Sequence, residues 1–136
     1  MLDLQIACIN DLEEYTPQER ETWTDSLQQA TPERYSNFKS TLITDTSGIA
    51  GYVSWVRGRL DTPSTVECLY VRKDQRNRNL GQFLLAEAEM RLPMDIDISV
   101  RSTLGARSFY EAQGYEYVKD VMSRAGFAIV LLEKRA

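Results

Sequence analysis

"LYVRKDQRNRNLGQFLL", residues 69–85, decides how the chain folds: the end of an apolar strand, a polar turn holding Arg72, Lys73, Arg76 and Arg78, a single glycine, and the start of a helix. A strand that runs into a helix through a short turn implies that the next strand returns parallel to the first, because the crossover helix carries the chain back to the end it left. The first N–H groups of such a helix have no intrahelical acceptor and face the turn, so the junction is an anion site before any side chain is counted. The cations add charge-assisted donors and make the turn a diphosphate cradle candidate. The turn lacks the Gly-Lys-Ser/Thr of a phosphate-binding loop and the three glycines of a dinucleotide fingerprint, which argues against nucleotide hydrolysis and hydride transfer. A solvated basic loop is the other reading of the same residues.

Upstream, residues 39–74 read as three strands broken at Thr46-Ser47-Gly48 and at Asp61-Thr62-Pro63, both short enough for antiparallel hairpins. Before them, 2–9 has the short, partly alternating look of a strand. Residues 16–29 and 32–37 read as helices, with Thr16 as an N-cap and Pro17 at the first helical position. Downstream, the helix from Leu80 is stopped by Pro93, 94–100 alternates as a strand, and 102–114 holds a short helix capped by Ser102 or Thr103 and closed by Gly114. Residues 115–122 and 127–135 form a closing antiparallel pair. The order β-α-α-β-β-β-α-β-α-β-β is that of one mixed α/β domain, residues 1–136, around a central sheet.

The bulk numbers narrow the chemistry. With 136 residues and 43% apolar, the chain suffices for one core. A formal charge of −4 argues against a nucleic-acid partner, which needs a broad basic surface. The chain has no histidine, so no Ser-His or Cys-His pair and no His-ligated zinc can be built, and no metal is expected. Cys8 and Cys68 read as buried free thiols in strands. The start lacks the pattern of a signal peptide and no apolar run reaches membrane length, so a cytoplasmic protein without a membrane partner is the simplest reading.

Two blocks together carry a family resemblance. "LYVRKDQRNRNLGQFLL" resembles the acetyl-CoA signature of the GNAT superfamily of N-acyltransferases, a strand followed by Gln/Arg-x-x-Gly-x-Gly/Ala and a helix, with Arg76, Asn79 and Gly81 at the fixed positions. "ARSFYEAQGYEYV", residues 106–118, resembles that family's later helix bearing Phe-Tyr, followed by Gly and an aromatic residue. The resemblance implies a GNAT-like fold, acetyl-CoA as co-substrate, and transfer of an acetyl or other short acyl group to a primary amine of a small molecule or protein. It implies that backbone groups of Leu69 and Val71 hold the acyl-pantetheine arm and that the N–H groups of Arg76, Asn77, Arg78, Asn79, Leu80 and Gly81 cradle the diphosphate. By the same resemblance Tyr110 matches the tyrosine that protonates the departing thiolate, and Thr103 takes the position where members often place an asparagine that contacts the pantetheine. Asn79 stands where glycine is usual.

Acyl transfer also needs a neutral amine, hence a base or a water chain. Glu67 lies two residues before Leu69 and, by strand alternation, on the same face as Leu69 and Val71, opposite to Cys68; a cross-strand ion pair is its other reading. Glu111 and Tyr70 are further candidates. Residues 10–35 carry seven acids and two bases, whereas 57–78 carry six bases and three acids, which suits a polyanionic co-substrate at one end and a cationic acceptor at the other. A catalytically weak acyl-CoA-binding module acting on a protein partner is the alternative function. An exposed strand in the last pair offers a surface for a homodimer.

Overall fold

The computed structural model describes residues 2–30 and 37–136. The chain opens on α1 (Leu2–Asn10) and α2 (Pro17–Gln28), followed by β1 (Lys39–Asp45), β2 (Gly48–Val56) and β3 (Ser64–Val71). A short 3-10 turn, Lys73–Gln75, leads to α3 (Leu80–Met90), then β4 (Ile98–Ser102), a second 3-10 turn, α4 (Arg107–Ala112), β5 (Glu116–Met122) and β6 (Ala128–Lys134). The strands form one sheet in the order β1-β2-β3-β4-β6-β5. Both hairpins are antiparallel, and β3 and β4, joined through α3, are parallel, as the sequence implied.

The first element differs from the expectation. Residues 2–10 form a helix, because Leu4, Cys8 and Ile9 are the buried positions. Alternation would send Ile9 to the face opposite Leu4 and Cys8, whereas a 3.6-residue period stacks Leu4 and Cys8 one turn apart and turns Ile9 to an adjoining face, where it is buried too. Leu4 and Cys8 lie against Tyr52, Cys68 and Tyr70 of the sheet. The expected helix over 32–37 falls, apart from Asn37 in a turn, outside the described residues. The strand expected at 94–100 begins later, at Ile98, because its partner begins at Ser64, whose N–H donates to the Asp97 carbonyl at 2.8 Å.

Elsewhere local signals and structure agree. Thr16 caps α2 in a reciprocal box: its hydroxyl accepts from the Glu19 N–H at 3.1 Å, and its own N–H donates to the Glu19 carboxylate at 2.9 Å. The main core lies between the sheet and α3 and α4, around Val53, Trp55, Leu84, Leu85, Val100 and Leu132. Gly51 lets α3 approach β2: a methyl there would stand 3.0 Å from both a Leu84 methyl and the Tyr70 carbonyl. A further cluster on Tyr15, Phe127 and Ile129 ties the α1–α2 connection to β6. Its centre is the Tyr15 hydroxyl, which donates to the Ala128 carbonyl at 2.7 Å and accepts from the Leu104 N–H at 3.1 Å. The outer strand β5 is largely exposed and forms one edge of the sheet, where the sequence placed a dimer surface.

Candidate active site: a parted sheet beside an open helix end

The site arises where parallel strands separate. β3 and β4 pair only from Ser64–Ile98 to Val66–Val100, yet β3 runs on to Val71 and β4 to Ser102. Consecutive residues of a strand aim their peptide groups at opposite edges. The Arg72 N–H donates to Ala50 on β2 at 2.7 Å, and the Tyr70 carbonyl also faces β2, so the peptide groups of Leu69 and Val71 face the gap. A cleft of about 410 Å³ opens there, bordered by β3, by Thr103 and Tyr110 beyond β4, by Trp23 and Leu27 of α2, and by the β5–β6 turn.

The turn after β3 has the backbone that the sequence called for. Asn77 and Asn79 both take left-handed φ, at 66° and 61°. Asparagine tolerates that region better than most residues, and here it supplies the reversal that glycine usually supplies. Asn79 sits at the helix boundary without capping α3 through its side chain, and the first N–H to reach a helical carbonyl is that of Phe83, on Asn79 at 3.0 Å. The N–H groups of Leu80, Gly81 and Gln82 are thus left to an outside acceptor. Gly81 has ordinary room beside it, 3.6 Å from the Phe109 ring, so the protein's own packing does not demand glycine there.

The arginines divide. Arg72 is committed to the fold: its guanidinium pairs with Asp45 at 2.5 Å and Asp74 at 2.6 Å and also donates to the Ile49 carbonyl, locking the β1–β2 turn to the end of β3. Those bonds hold both carboxyls below the usual carboxylate range. Arg76 turns back as well, donating to the Val71 carbonyl at 3.1 Å and to the Cys8 sulfur at 3.5 Å, with Asp11 at 3.8 Å. The Cys8 thiol donates to the same Val71 carbonyl at 3.5 Å. Burial pushes that thiol up against the opposing pull of Arg76, so it stays protonated. What the turn leaves open to an anion is therefore its backbone N–H groups, with Arg78 exposed beside them. The Val71 carbonyl is engaged from two sides, leaving its N–H and the Leu69 peptide groups facing the gap.

Tyr110 is buried in α4, edge-on to Phe109 and Tyr115, and borders the cleft. Desolvation, with a smaller contribution from Cys68, raises its phenol well above the ordinary tyrosine range, and its hydroxyl has no hydrogen-bond partner among the described residues. Thr103 borders the cleft too. Neither it nor Ser102 caps the following turn; Ser102 closes β4 and its hydroxyl donates to the Thr103 carbonyl at 2.7 Å.

Glu67 occupies a β-bulge, the register of β2 and β3 shifting between Ser54 and Trp55. The bulge breaks the alternation from which its facing was inferred. Val66, Leu69 and Val71 pack with the core under α3, whereas the Glu67 carboxylate accepts from the Thr65 hydroxyl at 2.7 Å and borders the cleft. Cys68, expected in the core, is half-buried at the cleft wall, where its sulfur accepts from the Gln5 amide at 3.6 Å; neither Cys8 nor Cys68 is in a disulfide. Glu111 is committed to Arg107 at 3.3 Å, and burial drives the Tyr70 phenol far up, so neither is suited to accept a proton from an amine. Trp23, Phe127 and Arg124, all at the cleft, escaped the sequence reading: the aromatic pair is 4.5 Å between centroids but 104 positions apart in the chain, which local patterns do not reveal.

Comparisons with known proteins converge on this architecture. A profile of the acetyltransferase (GNAT) domain matches residues 11–136. No curated protein sequence matches the chain. Among solved structures, the fold is similar to that of a GCN5-related N-acetyltransferase from Rhodopseudomonas palustris, with a TM-score of 0.80 at 20% identity over 99% of this chain and 87% of that one. It is also similar to the PaiA N-acetyltransferase from Thermoplasma acidophilum in complex with coenzyme A, with a TM-score of 0.68 at 16% identity over 99% and 92% of the two chains. Escherichia coli ElaA superposes with a TM-score of 0.70 at 13% identity over 98% and 87%.

Proposed function

Because the chain belongs to the GNAT acetyltransferase family, we propose that it is an N-acetyltransferase that moves an acetyl or other short acyl group from acyl-CoA to a primary amine by direct attack within a ternary complex. Acetyl-CoA is the co-substrate, and it supplies the activated thioester. The observation that carries the reading is the parting of β3 from β4 on the very strand that leads into the uncapped end of α3.

Each part of the chain has a task in this reading. The turn from Arg76 to Gly81 offers backbone N–H groups to a diphosphate, with Asn77 and Asn79 setting their direction. The gap-facing peptide groups of Leu69 and the Val71 N–H add hydrogen bonds of the kind a missing strand would supply, and the Thr103 hydroxyl faces the same arm. The Tyr110 phenol, held protonated by burial, donates to the sulfur as charge builds on it. Glu67 accepts the proton released by the amine, directly or through water, and its bond to Thr65 fixes the carboxylate. The cleft walls keep bulk water from the thioester.

Thiol release from acetyl-CoA with a panel of primary amines tests the reading. Turnover that requires an amine is expected; no turnover and no acetyl-CoA stabilisation in a thermal shift would overturn it. Tyr110→Phe keeps the ring and its packing, and is expected to lower kcat roughly 100-fold while the acetyl-CoA KM holds. Unchanged kcat would retire Tyr110 as the acid. An acid must be protonated to act, and this phenol lies above its usual value of 10.0, so kcat is expected to show no alkaline fall due to Tyr110 below that pH.

A further inference from the structure

Among the described residues, the charges that line the cleft differ from those that the acidic composition of residues 10–35 suggested. α2 brings Trp23, Ser26 and Leu27 to the cleft, and none of its acids: Glu19 caps its own helix, and Asp25 lines a neighbouring hollow. Among the described residues, the charged side chains that line the cleft are Glu67, Arg101 and Arg124, two guanidiniums against one carboxylate in a chain of net charge −4. Val100 and Ser102 are buried on one face of β4, so Arg101 projects from the other face, which carries the acceptor end. Arg124 is held on an ordered turn, where Ser123 bonds to Phe127 and Gly126 bonds back to Ser123, at 2.9 Å and 3.0 Å. Both arginines are exposed and neither has an acidic partner among the described residues, whereas Arg72, Arg76, Arg91 and Arg107 all do. Trp23 and Phe127, 4.5 Å apart between ring centroids, add an apolar wall to the same cleft.

We propose that the acceptor is an amine that also carries a carboxylate, bound by Arg101 and Arg124 with its apolar body along Trp23 and Phe127 and its amine toward Glu67. The proposal rests on the acyl-transfer reading above. A diamine would meet like charge at both guanidiniums, and a simple alkylamine would leave them without a partner. A carboxylate gives each planar guanidinium a two-pronged acceptor, and the separation of positive and negative groups along the cleft orients the molecule.

Matched acceptors decide it: L-phenylalanine against phenethylamine and L-leucine against isoamylamine, followed by thiol release from acetyl-CoA. The acids are expected to show a kcat/KM higher by about tenfold or more, the scale of one such ion pair. Arg101→Ala with Arg124→Ala should erase the difference, and Arg124→Glu should reverse it. Calorimetry with the acetylated products, N-acetyl-L-phenylalanine against N-acetylphenethylamine, reads the same preference without turnover. Failure of acetyl-CoA to bind would fall on the acyl-transfer reading alone, since product binding still reports on the arginines. If no acid is used or bound better than its decarboxylated mate, or if the preference survives loss of both arginines, the proposal is overturned.

Discussion

The amino ends of α2 and α3 are solved in opposite ways within one chain. At α2, Thr16 and Glu19 exchange hydrogen bonds with each other's backbone, and Pro17 removes a donor that would otherwise need a partner. At α3 the boundary residue is left-handed, its side chain makes no capping bond, and the adjacent arginines turn back to Asp45, Asp74 and Val71. The first end is finished for stability. The second leaves its first backbone donors without an intrahelical acceptor, and it lies beside the strand whose partner has parted from it. A local rule kept at one helix and broken at the next is a pointer to function that neither helix gives alone.

The contrast can be broken by giving α3 its own negative charge. Asn79→Asp keeps a residue that accepts left-handed φ and places a carboxylate at the open end, and is expected to raise the acetyl-CoA KM roughly 100-fold, about 2.7 kcal/mol, with little change in thermal stability. Gly81→Ala is the next largest: the methyl fits beside Phe109, so thermal stability should hold or rise by up to about 1 kcal/mol, while a KM increase of roughly tenfold would show that the glycine serves the ligand. At α2 the signs swap. Thr16→Ala should cost about 1 kcal/mol of unfolding free energy with the acetyl-CoA KM unmoved, as read by urea denaturation and steady-state kinetics. The smallest effect is expected from Asn79→Gly, a change in acetyl-CoA affinity of about twofold, because asparagine already holds the left-handed turn. A large gain there would mean that the side chain obstructs the ligand.

These two helix ends also mark how far the sequence could be read. Thr16-Pro17 and the turn before Gly81 were legible because a cap or a phosphate turn needs particular residue types at adjacent positions. The hairpins and the parallel return of β4 followed from their breaks and from the crossover helix in the same way. The first element was misread, since nine residues of mixed pattern fit two periods and only their burial in the folded chain chooses between them. Glu67 does border the cleft, but its direction was missed because a bulge depends on the partner strand, not on the residues around it. Arg72 and Arg76 were counted as ligand donors from proximity in sequence. Asp45 and Cys8, distant in the chain, claim them.

By itself the sequence determined the family, the parallel crossover and the turn that leads into α3, because each depends on neighbouring residues whose backbone preferences act before any long-range contact forms. Only the tertiary structure decided which charges face the cleft, because that turns on where β3 leaves β4, which face a bulge presents, and which cations have already found a partner in the fold. Among the described residues, the acidic segment that suited a cationic acceptor brings Trp23, Ser26 and Leu27 to the cleft, and the charged side chains there are Glu67, Arg101 of β4 and Arg124 of the β5–β6 turn.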